Sequence, residues 1–162
     1  MARKIINILT MSMLAVMLCV TGCKGVKDIK INSVEFESAT LNGFTSIDIF
    51  LKVGVDNPAK QVRLSEIDGS LIHSGKVIGK LAVDPFVLGA KTSDLYTLKA
   101  RVSLAKGAGL KDLMILTSEK GIYDCTIDVS AKATYGKAAP MPVKMKDIPL
   151  KKLLDTIENE KN

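Results

Sequence analysis

The 162-residue chain has no tryptophan and only 4% aromatic residues, so its core has to be assembled from Val, Ile, Leu and Ala. β-Branched residues are enriched in strands, and this composition leans towards sheet. Histidine is nearly absent. His73 stands alone, which excludes a histidine-based metal cluster and leaves any Ser-His-Asp triad to be built on one residue beside the Ser74-Gly75 turn. Strong charge is lacking too. The formal net charge is +6, and the lysines are scattered without interleaved aromatics, so no nucleic-acid partner is expected. Asp124 and Asp128 would lie roughly 13 Å apart along a strand, too far for an acid and base pair. Gly107-Ala108-Gly109 has no following Gly-Lys-Ser/Thr and makes no phosphate loop. No catalytic residue, no metal ligand set and no cofactor is predicted.

The N-terminus carries a processing signal. Arg3 and Lys4 precede an apolar run over 5–20, interrupted only by Asn7, Thr10 and Ser12. As a helix that run reaches about 24 Å, short of the roughly 30 Å hydrocarbon core, so an export signal is favoured over a spanning helix. It ends in Val20-Thr21-Gly22-Cys23, which resembles the lipobox of bacterial lipoproteins. That resemblance implies cleavage before Cys23 and acylation of its thiol; a plain secretory signal with a free Cys23 is the alternative. Loss of Arg3 and Lys4 takes the charge from +6 to +4. Cys125 would then be the remaining thiol, either buried or bridged to Cys23 in a disulfide. Its strand phase favours burial. Lys24, Lys27 and Lys30 follow the lipid site and could rest on anionic head groups. Lys24 is not the aspartate that retains lipoproteins in the inner membrane of enteric bacteria, which points to the outer membrane; Lys24-Gly25-Val26-Lys27-Asp28 is mainly basic, unlike the acidic surface-export signals, which favours its periplasmic side, with surface exposure the alternative.

Downstream, period-two alternation marks strands. Odd positions over 47–55 are apolar (Ile47, Ile49, Leu51, Val53, Val55). The pattern returns at Tyr96, Leu98, Ala100, Val102 and Leu104, and again at Tyr123, Cys125, Ile127, Val129, Ala131 and Ala133. Weaker strands are predicted over 29–36, 64–73, 77–83, 86–88 and 141–148. Asn42-Gly43, Asn57-Pro58, Ser74-Gly75 and Asp84-Pro85 supply the turns. Phe50, Ile72 and Ile78 fall out of phase, marking either a second covered face or a partner surface. A short crossover helix is expected over 109–120, where Leu110, Leu113 and Met114 share a face. A second helix is expected over 149–162, with Leu150, Leu153, Leu154 and Ile157 at i, i+3, i+4 and i+7.

The run Leu51-Lys52-Val53-Gly54-Val55-Asp56-Asn57-Pro58, followed by Leu64 and the hairpin from Gly69 to Gly79, resembles the LEA type 2 family, also called the WHy domain. Ala59 follows Pro58 where the family commonly has Asn. The resemblance implies an immunoglobulin-like or fibronectin-like sandwich, association with desiccation and stress protection, and no transferable catalytic residue.

Together these readings predict an all-β, antiparallel immunoglobulin/fibronectin-III-like β-sandwich of about seven strands. Residues 1–22 form the signal peptide, 23–28 a lipidated linker of roughly 20 Å reach, 29–148 the sandwich and 149–162 the C-terminal helix. The expected role is non-enzymatic: a membrane-tethered protein protecting envelope proteins under stress or docking to an envelope protein partner. The alternative is a module binding an apolar ligand or lipid between the sheets or under the C-terminal helix.

Overall fold

A computed structural model describes residues 28–152. The signal segment, Cys23 and residues 153–162 of the expected C-terminal helix lie outside the described residues. Eight strands and two short helices follow in the order β1 (Lys30–Asn42), β2 (Ser46–Asn57), β3 (Val62–His73), β4 (Lys76–Val83), β5 (Phe86–Leu88), β6 (Thr92–Leu104), α1 (Leu110–Thr117), α2 (Glu119–Tyr123), β7 (Cys125–Tyr135) and β8 (Met141–Pro149). Every pairing is antiparallel, in the order β1-β2-β6-β4-β3-β7-β8, with β5 on β3. The fold is the expected all-β sandwich.

Its two layers belong to one curled sheet. One layer is β1-β2-β6 and the other β3-β7-β8, and β4 hydrogen-bonds to both β6 and β3. The switch of partners on the β3 edge has a local cause. Residues Val62 to Leu64 pair with β5, those from Ile67 onwards with β4, and between them a bulge opens against β7 at Glu66, whose φ is +48°. A bulge adds a residue and increases twist. Here it turns β3 from one partner to the other.

The alternation seen in the sequence becomes the core. Ile49, Leu51, Val53 and Val55 of β2, Leu98 and Ala100 of β6, and Cys125, Ile127, Val129, Ala131 and Ala133 of β7 are all buried in one cluster. Ile78 corrects its expected place, because it is buried too. The β3–β4 register shifts between Leu71 and Ile72, so Leu71 faces Gly79 and Ile72 faces Val77. Ile78 is the extra residue, and the shift moves it onto the inner face. Tyr123 also departs from expectation, ending α2 instead of starting β7. Phe50 remains on the outer face, half-buried, with the Lys99 ammonium 5.8 Å from its ring centroid. A cation–π contact within the chain covers it.

The same outer face holds a charged clamp. Asp48 pairs across strands with Arg101, which donates through Nε to Oδ1 and through Nη2 to Oδ2 at 2.8 Å, while Lys99 Nζ lies 3.4 Å from Oδ2. The two-pronged Arg–carboxylate geometry is the strong form of this interaction. It holds the Asp48 carboxyl well below its ordinary 3.8, against a smaller opposing effect of desolvation.

The turns carry the predicted chemistry. Ser74 and Gly75 have φ of +50° and +77°, the pair of positive values that a two-residue hairpin demands. Asn57, buried at the end of β2, uses its whole side chain. Its amide donates to the carbonyls of Lys60 (3.0 Å) and Gly89 (2.7 Å), and its Oδ1 accepts from Ala59 N–H (3.0 Å). Gly89 also donates to Tyr96 Oη and accepts from Thr92 Oγ1. Asn57-Pro58 thus ends a strand and ties β2 to the β5–β6 connection.

Two predictions follow from these contacts. Asn57→Ala removes the side-chain donor to the Lys60 carbonyl and the acceptor for the Ala59 amide, leaves the Gly89 carbonyl only its bond from Thr92, and should lower unfolding free energy by about 2 kcal/mol in urea titrations. Asn57→Asp should do no better, because a carboxylate cannot donate to Lys60 and Gly89. Asp48 is depressed in the folded state, so its stabilisation is complete above the unfolded value near 3.8 and is lost as pH falls below it. Acid unfolding curves of Asp48→Asn should therefore be flatter than those of the parent below about pH 4, and parallel curves would remove the clamp from the account.

Candidate functional site

The curl is closed along its length by side chains, but one end is not filled. There the β1–β2 hairpin, the ends of β6, β4 and β3, the start of β7 and helix α1 enclose an apolar cavity of about 300 Å³. Leu41, Phe44 and Ile47 come from the hairpin, and Val102 and Leu104 from β6. Leu71, Leu81 and Ile127 form the floor, and Leu113 and Leu116 of α1 the side wall. The polar groups in the wall are the hydroxyl-bearing residues Thr45, Ser46, Ser103 and Thr117, together with main chain at Gly43. Ser46 Oγ already donates to Asn42 O, and Thr117 Oγ1 to Leu113 O, both at 3.0 Å.

Each wall has a local origin. Gly43 takes φ of +67°, allowing the tight turn that carries Leu41 and Phe44 to the mouth. Gly79 brings α1 onto the sheet. A Cβ there would stand 3.1 Å from Leu71 Cδ1 and 3.5 Å from Leu116 Cδ1, so the glycine lets these two leucines close over the strand. Helix α1 starts at Gly109, whose N–H donates to the Asp112 carboxylate at 2.9 Å; Lys76 Nζ reaches the same carboxylate oxygen at 2.9 Å. Those contacts, led by Lys76, hold the Asp112 carboxyl below its usual range. The helix is thereby pinned by polar contacts and not by deep burial, since none of its residues is fully buried.

The rim is apolar and open to solvent. Phe44 is 100% exposed, Leu41 76%, Leu110 75% and Met114 64%. Isolated exposed apolar residues are ordinary, but Leu41 and Phe44 line the cavity, and Leu110 and Met114 lie on α1, whose Leu113 and Leu116 line it too.

The residues singled out from sequence sort differently. Cys125 is buried as expected, a free thiol donating to Gly121 O at 3.1 Å, and burial, with a further contribution from Asp124, pushes its pKa up to about 11. Such a thiol is inert. His73 closes the β3–β4 hairpin opposite Lys76. Asp128 accepts Asp147 N–H at 2.8 Å, supporting a bulge in β8 where Asp147 has φ of +55°. Among the described residues no group of three or more His, Cys, Asp or Glu could hold a metal ion. Leu110 and Met114 do share a helical face with Leu113, but only Leu113 and Leu116 turn into the cavity. The signal for the site in the sequence was a Phe beside the Asn42-Gly43 turn. Which leucines would surround it depended on the curl.

No protein-family model matches the sequence, and no curated protein does. Among solved structures, similarity is found to a protein from Archaeoglobus fulgidus, with 11% identity over 72% of this chain and 93% of that one, at a TM-score of 0.42. The GAE domain of yeast GGA1 shows 14% identity over 73% of this chain and 95% of that domain, at a TM-score of 0.29.

Proposed function

We propose that the protein is a non-enzymatic, membrane-tethered module, similar to the LEA type 2 sandwiches, that holds an apolar chain in the end cavity. The observation that carries this is the cavity itself: about 300 Å³, walled by hydrocarbon and open through an apolar rim. Its volume is at the lower bound of small-molecule sites, which run ~300–1,000 Å³. That suits one acyl-type chain and not a pair. Each methylene moved from water into such a site contributes about 0.8 kcal/mol, so a medium-length chain needs no directed polar contact to bind.

The tether gives the site a direction. β1 begins with Lys30 beside Asp56 and ends with Asn42 beside Ser46, at the cavity. Thirteen residues at ~3.3 Å each place the mouth about 40 Å from the start of the strand. A linker from an acylated Cys23 reaches only about 20 Å. A sandwich held this way cannot invert to press its mouth on the anchoring bilayer. The chain it binds arrives from the aqueous side, either free or presented by an envelope partner, and a stress-protective role would act through capture of such exposed apolar segments.

Lipidation and binding are tested separately. The mature N-terminus, analysed by mass spectrometry, should be an acylated Cys23; a chain starting elsewhere would remove the tether from this reading. Native mass spectrometry and calorimetric titration with saturated fatty acids should show one chain bound per protein, with affinity rising with length until the cavity is full. Leu116→Trp, which fills the cavity from a half-buried helix position, should weaken binding at least ~10-fold, a loss of about 1.4 kcal/mol or more, while leaving the far-ultraviolet circular dichroism unchanged. Absence of binding at every length would sink the proposal.

A further inference from the structure

At the end of the domain away from the cavity, three loops meet: residues 58–61 between β2 and β3, 89–91 between β5 and β6, and 136–140 between β7 and β8. Polar bonds hold them side by side. Lys91 N–H donates to Ala59 O at 2.9 Å, Gly136 N–H to Gln61 O at 2.8 Å, and the Asn57 amide to Gly89 O at 2.7 Å. Each loop carries one exposed lysine, Lys60, Lys91 or Lys137, and none carries a carboxylate. Apart from Gln61 their other residues are Gly, Ala and Pro, so the lysines are the longest side chains of all three loops. Among the described residues none of the three is held in an ion pair. The carboxylates at this end belong to the β1-β2-β6 layer: Asp56 opposite Lys30, Asp94 opposite Val55, and Asp28 just before β1. The loops themselves are left with three positive charges, whereas the hairpin turn over 43–45 at the other end is uncharged.

We propose that Lys60, Lys91 and Lys137 form a docking surface for the anionic phosphate head groups of the bilayer that anchors the protein. Two observations select a lipid surface as the occupant. The positive charge is complementary to it and is spread over three loops at one pole, which suits a plane of phosphates better than a single anion. β1 also starts at this pole, so the tether proposed above delivers these loops to the head groups. The inference takes its direction from that tether and its chemistry from the loops alone. Each lysine near an anionic surface strengthens attachment about fivefold, and the gain is screened by salt. Docked in this way, the domain stands upright with its cavity mouth away from the bilayer instead of tumbling on its linker.

The test uses the full protein as isolated from cells, reconstituted into vesicles of phosphatidylcholine with and without phosphatidylglycerol. Ala138→Cys beside Lys137, or Phe44→Cys at the far pole, carries a fluorophore, Cys125 being buried, and a nitroxide on the lipid head group is the quencher. Quenching at position 138 should be several times stronger with phosphatidylglycerol than without it and should fall to the phosphatidylcholine level in high salt, while position 44 stays unquenched in both. Replacing the three lysines together by Gln should abolish the difference, and replacing them by Arg should keep it. Equal quenching at position 138 in the two lipids, or a difference that survives the Gln variant, would overturn the docking surface. If mass spectrometry finds no acyl group on Cys23, the tether reading has failed, and the same protein is sedimented with the same vesicles. Salt-sensitive pelleting with phosphatidylglycerol alone, weakened about fivefold by each Lys→Gln, then upholds the docking surface, and no pelleting with either lipid overturns it.

Discussion

Packing two antiparallel layers with few aromatic side chains, none of them fully buried among the described residues, is the constraint on which this structure depends. A sandwich core spans about 10 Å between sheets, and here it is filled by Val, Leu, Ile, Ala and Cys125, with no aromatic ring among the fully buried described residues. Small side chains pack well where both layers lie close, through Leu51, Leu64, Ile127 and Leu98. Where the sheet ends, nothing large reaches across. Among the described side chains, Phe44 points to solvent, Phe50 lies on the outer face, and Phe86 is only partly buried. The cavity is what remains.

The rest of the architecture compensates for that economy with polar fastening. Asn57 spends two donors and an acceptor on three backbone groups at the end away from the cavity, and the Asp48–Arg101 clamp fastens β2 to β6 on the outer face. No buried side-chain nitrogen or oxygen among the described residues lacks a partner. Satisfied polar groups of this kind specify register, because moving a strand by one residue would strand them. At the cavity end the polar fastenings include Lys76 and Gly109 on Asp112, which hold α1 beside the sheet.

Direction joins structure to role. β1 carries the chain from Lys30 to the cavity mouth in one span, so an anchor at Cys23, as proposed, and the cavity would stand at opposite poles of the domain. A site at the anchored pole could sample the bilayer that holds it. One at the opposite pole would be presented to whatever approaches through the aqueous space.

Much of this was legible in the sequence, because a strand with one face buried writes its period directly into the residue order. The inner face of β2, the burial of Cys125, the turns at Asn57-Pro58 and Ser74-Gly75 and the helix after Gly109 all follow from local chemistry. Ile78 did not, since a bulge reverses the phase and its cause is the pairing of β3 with β4. Tyr123 likewise joined α2 although its period matched β7. The cavity was invisible for a deeper reason: Leu41, Leu71, Leu81, Val102, Leu116 and Ile127 are far apart along the chain, and each looks like an ordinary core residue. Alternation determines which side chains face inward. Only the curl around β4 decides whether those facing side chains meet, and at one end they do not.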